Sequence, residues 1–139
     1  MSASPAKLYT TEVLALATSL AAWPRDPEMP LQGRARSQSC GSTLAMSLQT
    51  DDTGAITQIG LAAQACAIGQ ASAAVFTASA IGKARDEIEA TASAVERWLC
   101  GIGEIPSWPG LGALAEARHF PARHGAMMLP WRAALDALP

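Results

Sequence analysis

The amino-acid sequence predicts an α+β domain built on a three-stranded antiparallel sheet, with helical segments before and after it. Three stretches show the alternation of apolar and other residues that is typical of half-buried strands, at 34–39, 43–50 and 56–65. Turn-forming residues at 51–54 separate the second stretch from the third and predict a hairpin. The 139 residues suit one compact core, so we expect a single domain over 1–139.

Helical periods flank the strand region. The first helix precedes Pro24, and its apolar stripe consists of Val13, Leu16, Ala17 and Leu20. A second helix runs from Gly69 to residue 80, and a third begins near Asp86 with a stripe made by Ile88, Ala92, Val95 and Leu99. We expect a short helix at 111–117 and a last helix that starts at Pro121. Pro130 either bends this last helix or marks its true beginning, because proline disrupts a helix interior.

Charge and cysteine usage exclude several classes of function. Twelve acidic and ten basic residues give a formal charge of −2 with no run of Lys or Arg, so nucleic acid is not an expected partner. Three cysteines make no disulfide framework and fit a reducing compartment, so we expect a cytoplasmic protein. The apolar stretch at 13–22 is too short to span a bilayer, and no membrane partner is expected.

Two of the cysteines lie where the predicted elements meet. Cys40 ends the first predicted strand and Cys66 follows the third, so a meander brings both thiols to one end of the sheet. Cys66 also directly precedes a helix, whose unpaired N–H groups stabilise a thiolate. This placement suits a metal ligand or a sulfur acceptor, although free cysteines are often small buried apolar residues. Cys100 is expected to be such a core or half-buried cysteine, and His119 a surface residue.

Several short motifs occur in the order found in one known family. They are Ser39-Cys40-Gly41, Ala65-Cys66-Ala67-Ile68, Ala71-Ser72-Ala73, Gly82-Lys83, Leu111-Gly112-Ala113-Leu114 and Phe120-Pro121-Ala122-Arg123. Together they resemble the U-type iron–sulfur cluster assembly scaffold family of IscU, SufU and the NifU amino-terminal domain. The resemblance is greatest to the SufU branch. It implies a sheet with helices packed on one face, and a site that holds zinc or accepts iron and sulfur.

The same resemblance implies a site of three cysteines and one aspartate. Cys40 and Cys66 match the first two cysteines, Ser42 stands where the aspartate is expected, and Ala126 stands where the third cysteine is expected. Two of four ligands are therefore missing from a site that needs four. His124 is the best local substitute, although on a regular helix it points about 200° away from position 126. The candidate metal ligands are accordingly Cys40, Cys66, His124 and Ser42.

We therefore expect an iron–sulfur cluster assembly protein, a scaffold or sulfur-transfer accessory rather than an enzyme. It would bind iron, zinc or a labile iron–sulfur cluster, or accept persulfide sulfur, through two cysteines. The expected partners are a cysteine desulfurase and other assembly proteins, and a homodimer sharing a cluster would make up the missing ligands. The alternative is a member that has lost its metal site and acts as an interaction or regulatory module. A cysteine hydrolase using His124 is a weaker third candidate, because no oxyanion-forming motif is evident.

Overall fold

The computed structural model describes residues 8–38 and 41–139. Three antiparallel strands form one sheet in the order β1–β2–β3, and they are Leu31–Arg36, Thr43–Thr50 and Ile56–Gln64. The predicted meander and hairpin are confirmed. The first strand was predicted too late in the chain, since pairing with β2 starts it at Leu31 and ends it at Arg36. β1 therefore ends four residues before Cys40, which lies outside the described residues.

In the part of the chain that the structure describes, the sheet is accompanied by the α-helices α1 Thr11–Ser19, α2 Ala67–Ala80, α3 Arg85–Leu99 and α4 His124–Ala137. Short 3-10 segments occur at Leu20–Ala22, Leu111–His119 and Pro121–Arg123. The segment predicted as a short helix is thus a 3-10 helix. α4 continues through Pro130, which lies in its interior. None of the helices among residues 8–38 and 41–139 has the length and apolar character needed to cross a membrane.

The face of the sheet that packs on the helices is set by the strand register. Side chains opposite one another share a face, and the inner rows are Leu31–Leu48–Ile59, Gly33–Met46–Leu61 and Ala35–Leu44–Ala63. α4 lies against β1 and β2 and also contacts α2 and α3, while α1 packs on α2. α4 packs directly on the backbone of β1 at Gly33, where a Cβ would collide with the carbonyl oxygen of Ala133.

Two interactions fix α4 against its neighbouring helix and the core. The Ser72 hydroxyl of α2 donates a hydrogen bond of 2.6 Å to the Met127 carbonyl oxygen, and both residues are buried. Trp131 of α4 meets the ring of Phe76 edge-on at a centroid distance of 5.4 Å. Since α2 and α4 are joined at both points, the amino-terminal ends of the two helices are held in a fixed relation.

Both edges of the sheet form hydrogen bonds with residues outside the sheet. On β1, the Arg34 N–H donates to the Asp136 carboxylate of α4 at 2.8 Å. On β3, the Leu61 N–H donates to the Trp23 carbonyl oxygen at 2.8 Å, and Pro24 forms a parallel bridge with Leu61. Both edges therefore use residues from outside the sheet to satisfy outward-facing backbone donors.

Candidate sulfur and metal site

Cys66 is the amino-terminal cap residue of α2. Its backbone is extended, with φ −64° and ψ 169°, and its carbonyl oxygen accepts a hydrogen bond from the Gln70 N–H at 3.0 Å. Its side chain forms no capping hydrogen bond and is only partly buried. The first N–H groups of a helix have no partner inside the helix, so the thiol lies beside donors that favour an anion. The prediction that Cys66 directly precedes a helix is confirmed.

Position 126 lies beside the first turn of the helix that Cys66 caps. Ala126 is completely buried, and its Cβ is 3.5 Å from the place that a Cβ would occupy on Gly69. Gly69 thus leaves the space into which this end of α4 packs. The fold brings the position of the expected third cysteine close to the helix end that carries Cys66, but alanine offers no donor atom there.

His124 is the first residue of α4, and its imidazole is turned towards the 3-10 segment Leu111–His119. The Nε2 atom lies 3.0 Å from the Arg118 carbonyl oxygen, and the contact is partly buried. One ring nitrogen is therefore engaged with the backbone, which leaves Nδ1 as the atom with which His124 would bind a metal. Ala126 is two positions after His124 in the helix, which corresponds to a rotation of about 200°.

Ser42 lies at the end of the β1–β2 connection, immediately before β2. It is 6% exposed, and its carbonyl oxygen accepts a hydrogen bond from the Ser37 N–H at 2.8 Å. The Gly41 N–H in turn donates to the Ser37 carbonyl oxygen at 2.8 Å. Gly41 has a φ of 71°, a conformation that favours glycine. Cys40, the remaining candidate ligand, precedes this glycine and lies outside the described residues.

The described residues do not assemble a complete metal site by themselves. Over 8–38 and 41–139, no group of three or more His, Cys, Asp or Glu side chains is placed to hold a metal ion. Cys100 is exposed at the carboxyl-terminal cap of α3, so the expectation of a core or half-buried cysteine was wrong. Cys100 directly follows Leu99, the last member of the buried stripe, and therefore lies off that stripe. His119 is exposed, as predicted.

Two arginines that the sequence interpretation left unused stand on the outer face of β1. Arg34 and Arg36 are both exposed and lie two residues apart, so they project from the same side of the sheet. The alternation of charged and small residues from position 34 was the available signal. It was interpreted only as evidence for a strand.

Solved structures with the same fold include two whose descriptions are informative. A NifU-like protein (N-terminal) from Brucella abortus has 28% sequence identity and a TM-score of 0.86, over 94% of this chain and 92% of that one. A candidate iron–sulfur cluster assembly scaffold protein for the SUF system, from Fervidobacterium islandicum AW-1, has 20% identity and a TM-score of 0.83. That match covers 95% of this chain and 97% of the other, and at this identity it shows the fold alone. These similarities define the class as a NifU-like α+β domain.

The family model described as NifU-like N terminal domain matches residues 22–110, which is more than half of the chain. The protein belongs to the NifU-like N-terminal domain family. A comparison with curated proteins gave no match.

Proposed function

We propose that this protein is an iron–sulfur cluster assembly protein formed by a single domain over 1–139. The support is its family together with one observation, the partly buried Cys66 thiol at the amino-terminal end of α2. The structural neighbour from Fervidobacterium islandicum is a candidate iron–sulfur cluster assembly scaffold. A reducing compartment keeps such a thiol active, so we place the function in the cytoplasm.

Cys66 accepts sulfur in this proposal. Its thiolate attacks the terminal sulfur of a persulfide R–S–SH on a donor such as a cysteine desulfurase, forming a new S–S bond. The donor's S–S bond breaks, R–S⁻ leaves, and the transferred sulfur keeps its proton as Cys66–S–SH. The exchange neither consumes nor releases electrons overall. The N–H groups at the start of α2 favour the attacking anion, and the partial exposure of Cys66 admits the donor.

Iron, zinc or a labile cluster is cargo in the same proposal, held by Cys40 and Cys66. Ser42 and His124 are the candidate additional donors, the latter through Nδ1 because Nε2 faces the Arg118 carbonyl. A hydroxyl is a weak donor, so the set falls short of the four strong ligands that zinc or a cluster requires. A second copy of the chain, or an assembly partner, would supply the remaining thiolates.

A specific observation also favours the second candidate function, an interaction or regulatory module without a metal site. Ala126 is completely buried against the start of α2, in the place of the expected third cysteine. A methyl group there supplies no donor atom to a metal. In this case the fold is retained for docking on a desulfurase or another assembly component, and Cys66 carries no cargo.

Anaerobic purification followed by measurement of iron, zinc and acid-labile sulfide distinguishes the two candidates. The proteins to compare are the wild type, Cys66→Ser, the double variant Cys40→Ser with Cys66→Ser, and Cys100→Ser as the matched control. Cargo binding predicts near-stoichiometric metal that is lost in the double variant and kept in Cys100→Ser. A wild type that stays metal-free after reconstitution with iron and sulfide contradicts cargo binding.

Sulfur acceptance needs its own measurement. After incubation with a desulfurase and cysteine, intact-mass analysis should show one added sulfur on the wild type and on Cys100→Ser, but not on Cys66→Ser. Because Cys100 is the more exposed thiol, labelling that requires Cys100 instead would indicate non-specific reaction and would refute the assignment to Cys66. Native mass measured with and without metal tests the homodimer.

A further inference from the structure

The outer face of the sheet contains an open hollow beside the ends of the strands that lead to the two cysteines. It encloses about 710 Å³. This outer-face hollow is lined by two outward rows, Arg34–Ala45–Ala62 and Arg36–Thr43–Gln64, and by the backbone between them. The alanines keep its floor low, while the arginines stand along the β1 side. The hollow is therefore a shallow apolar surface with one basic wall.

The outward row next to the hollow, at Ser47 and Gly60, is covered by the chain itself. At Gly60, a Cβ would collide with the Pro24 carbonyl oxygen and would lie 3.0 Å from the Arg25 Cα. The Asp26 N–H also donates to the outward Ser47 hydroxyl at 3.0 Å. This covering segment occupies the row adjacent to Ala62 and extends no further along the lined rows. The outer-face hollow thus begins where the chain's own cover ends.

The two arginines carry charges that nothing in the described residues neutralises. The ion pairs seen over 8–38 and 41–139 join Arg85 to Glu89 and Arg132 to Glu96. The Asp136 carboxylate accepts a hydrogen bond from the Arg34 backbone N–H and forms no ion pair with the Arg34 guanidinium among the described residues. The chain has a net charge of −2, so two exposed guanidinium groups without an ion-pair partner among the described residues are a local feature and not a consequence of general basicity.

We propose that the outer-face hollow binds an extended acidic segment of a partner protein, with carboxylates at alternate positions. Arg34 and Arg36 are two residues apart on a strand, which separates their Cα atoms by about 7 Å. An extended peptide repeats its side chains on one side at the same interval, so two carboxylates can meet the two guanidinium groups. Each guanidinium can grip a carboxylate with two parallel hydrogen bonds. The alanine floor admits the peptide backbone, and Thr43 and Gln64 offer polar groups beside it.

The chain itself does not supply such a segment. Residues 1–7 contain no Asp or Glu. Acidic residues two apart occur at Asp26 and Glu28, which lie in a turn, and at Glu87 and Glu89, which lie in α3. Neither pair is extended, so a second copy would not present both carboxylates to one side. Charge complementarity therefore favours a different protein as the occupant, and this inference does not depend on the proposed sulfur or metal chemistry.

Peptide binding tests the proposal directly. Two fluorescent peptides with four glutamates each, one with Glu at every second position and one with Glu at every third, are titrated by anisotropy at low salt. The wild type should bind the alternating peptide about tenfold more tightly, since the other spacing points successive carboxylates to opposite sides. Arg34→Gln with Arg36→Gln should abolish this preference. Arg97→Gln with Arg132→Gln removes the same charge from exposed helical positions and should leave the preference for the alternating peptide unchanged.

A further variant distinguishes binding that depends on the shape of the hollow from general electrostatic attraction between the peptide and the arginines. Ala62→Trp fills the floor but keeps both arginines, and it should weaken binding of the alternating peptide to the level of the double arginine variant. Circular dichroism melting checks that each variant is folded, and the exposed arginine variants decide the question should Ala62→Trp fail to fold. Equal binding of the two peptides, or equal losses in the two double variants, overturns the proposal. So does displacement of the peptide by millimolar inorganic phosphate, or a wild-type dimer that the Arg34→Gln, Arg36→Gln pair dissociates.

Discussion

Substitution of Gly33 by alanine should strongly destabilise the fold, because α4 packs directly on the backbone of β1 at this residue. A Cβ at position 33 would lie 2.6 Å from the Ala137 N and 2.8 Å from the Ala137 Cβ, and it would also collide with the Ala133 carbonyl oxygen. Two of these three atoms belong to the helix backbone, so rotation of a side chain cannot relieve the contact. α4 would have to move away from the sheet.

The expected loss in the free energy of unfolding is about 3 kcal/mol, the upper part of the usual range for overpacking a core. For a domain of this length, such a loss lowers the melting temperature by about 10 °C. Thermal and urea denaturation followed by circular dichroism would measure it. α4 also carries Ala126 and His124, so a shifted helix should disturb the candidate site as well as the core.

Gly112→Ala is the matched control for this experiment. A Cβ at Gly112 meets no atom within 4 Å, and its φ is not in the left-handed region. Its unfolding free energy should change by no more than about 0.5 kcal/mol. If Gly33→Ala melts at the same temperature as Gly112→Ala, the close contact between β1 and α4 is not as the structure describes it.

Two further predictions concern the candidate site and the hairpin turn. Ala126→Cys combined with Ser42→Asp should raise the zinc stoichiometry of anaerobically purified protein, because it restores the donors that the family resemblance implies. The control, Ala134→Cys with Ser42→Asp, adds an equally buried thiol elsewhere in α4. Equal zinc in both variants would contradict the assignment of position 126. The Thr53 hydroxyl and the turn N–H groups lower the pKa of Asp51 below its usual value, so its contribution to stability is present above pH 4 and is lost as pH falls through the lowered pKa. The stability difference between wild type and Asp51→Asn should therefore shrink on acidification from pH 5 to pH 2, and a constant difference would show that the carboxylate contributes nothing.

The elements that local periodicity determines were predictable from the sequence. The alternation of Leu44, Met46 and Leu48 gave β2, and the stripe that begins at Ile88 gave α3, because side chains that repeat with the element's own period must share its buried face. The start of β1 was missed. Gly33, the residue that decides where α4 packs, has no side chain and therefore adds nothing to a pattern of apolar residues.

The candidate site also contains features that local sequence patterns predict and features that only tertiary packing determines. Cys66 was predicted at a helix end because the change of period that follows it is a local signal. The contact of His124 with the Arg118 carbonyl was not predictable, since it depends on the 3-10 course of the preceding segment. The outer-face hollow was also beyond reach of the sequence. The covering segment at Pro24 and Arg25 lies over the adjacent row at Gly60, and that placement depends on tertiary packing and not on a local sequence pattern.

The hydrogen bond from the Arg34 N–H to the Asp136 carboxylate has a consequence for how copies of this protein can associate. A strand from another molecule that tried to extend the sheet beyond β1 would have to displace this carboxylate from a donor it already satisfies. The edge is thereby guarded against sheet-to-sheet polymerisation without a proline or a lysine. At this point of β1, association with another copy is therefore left to side chains and not to the backbone.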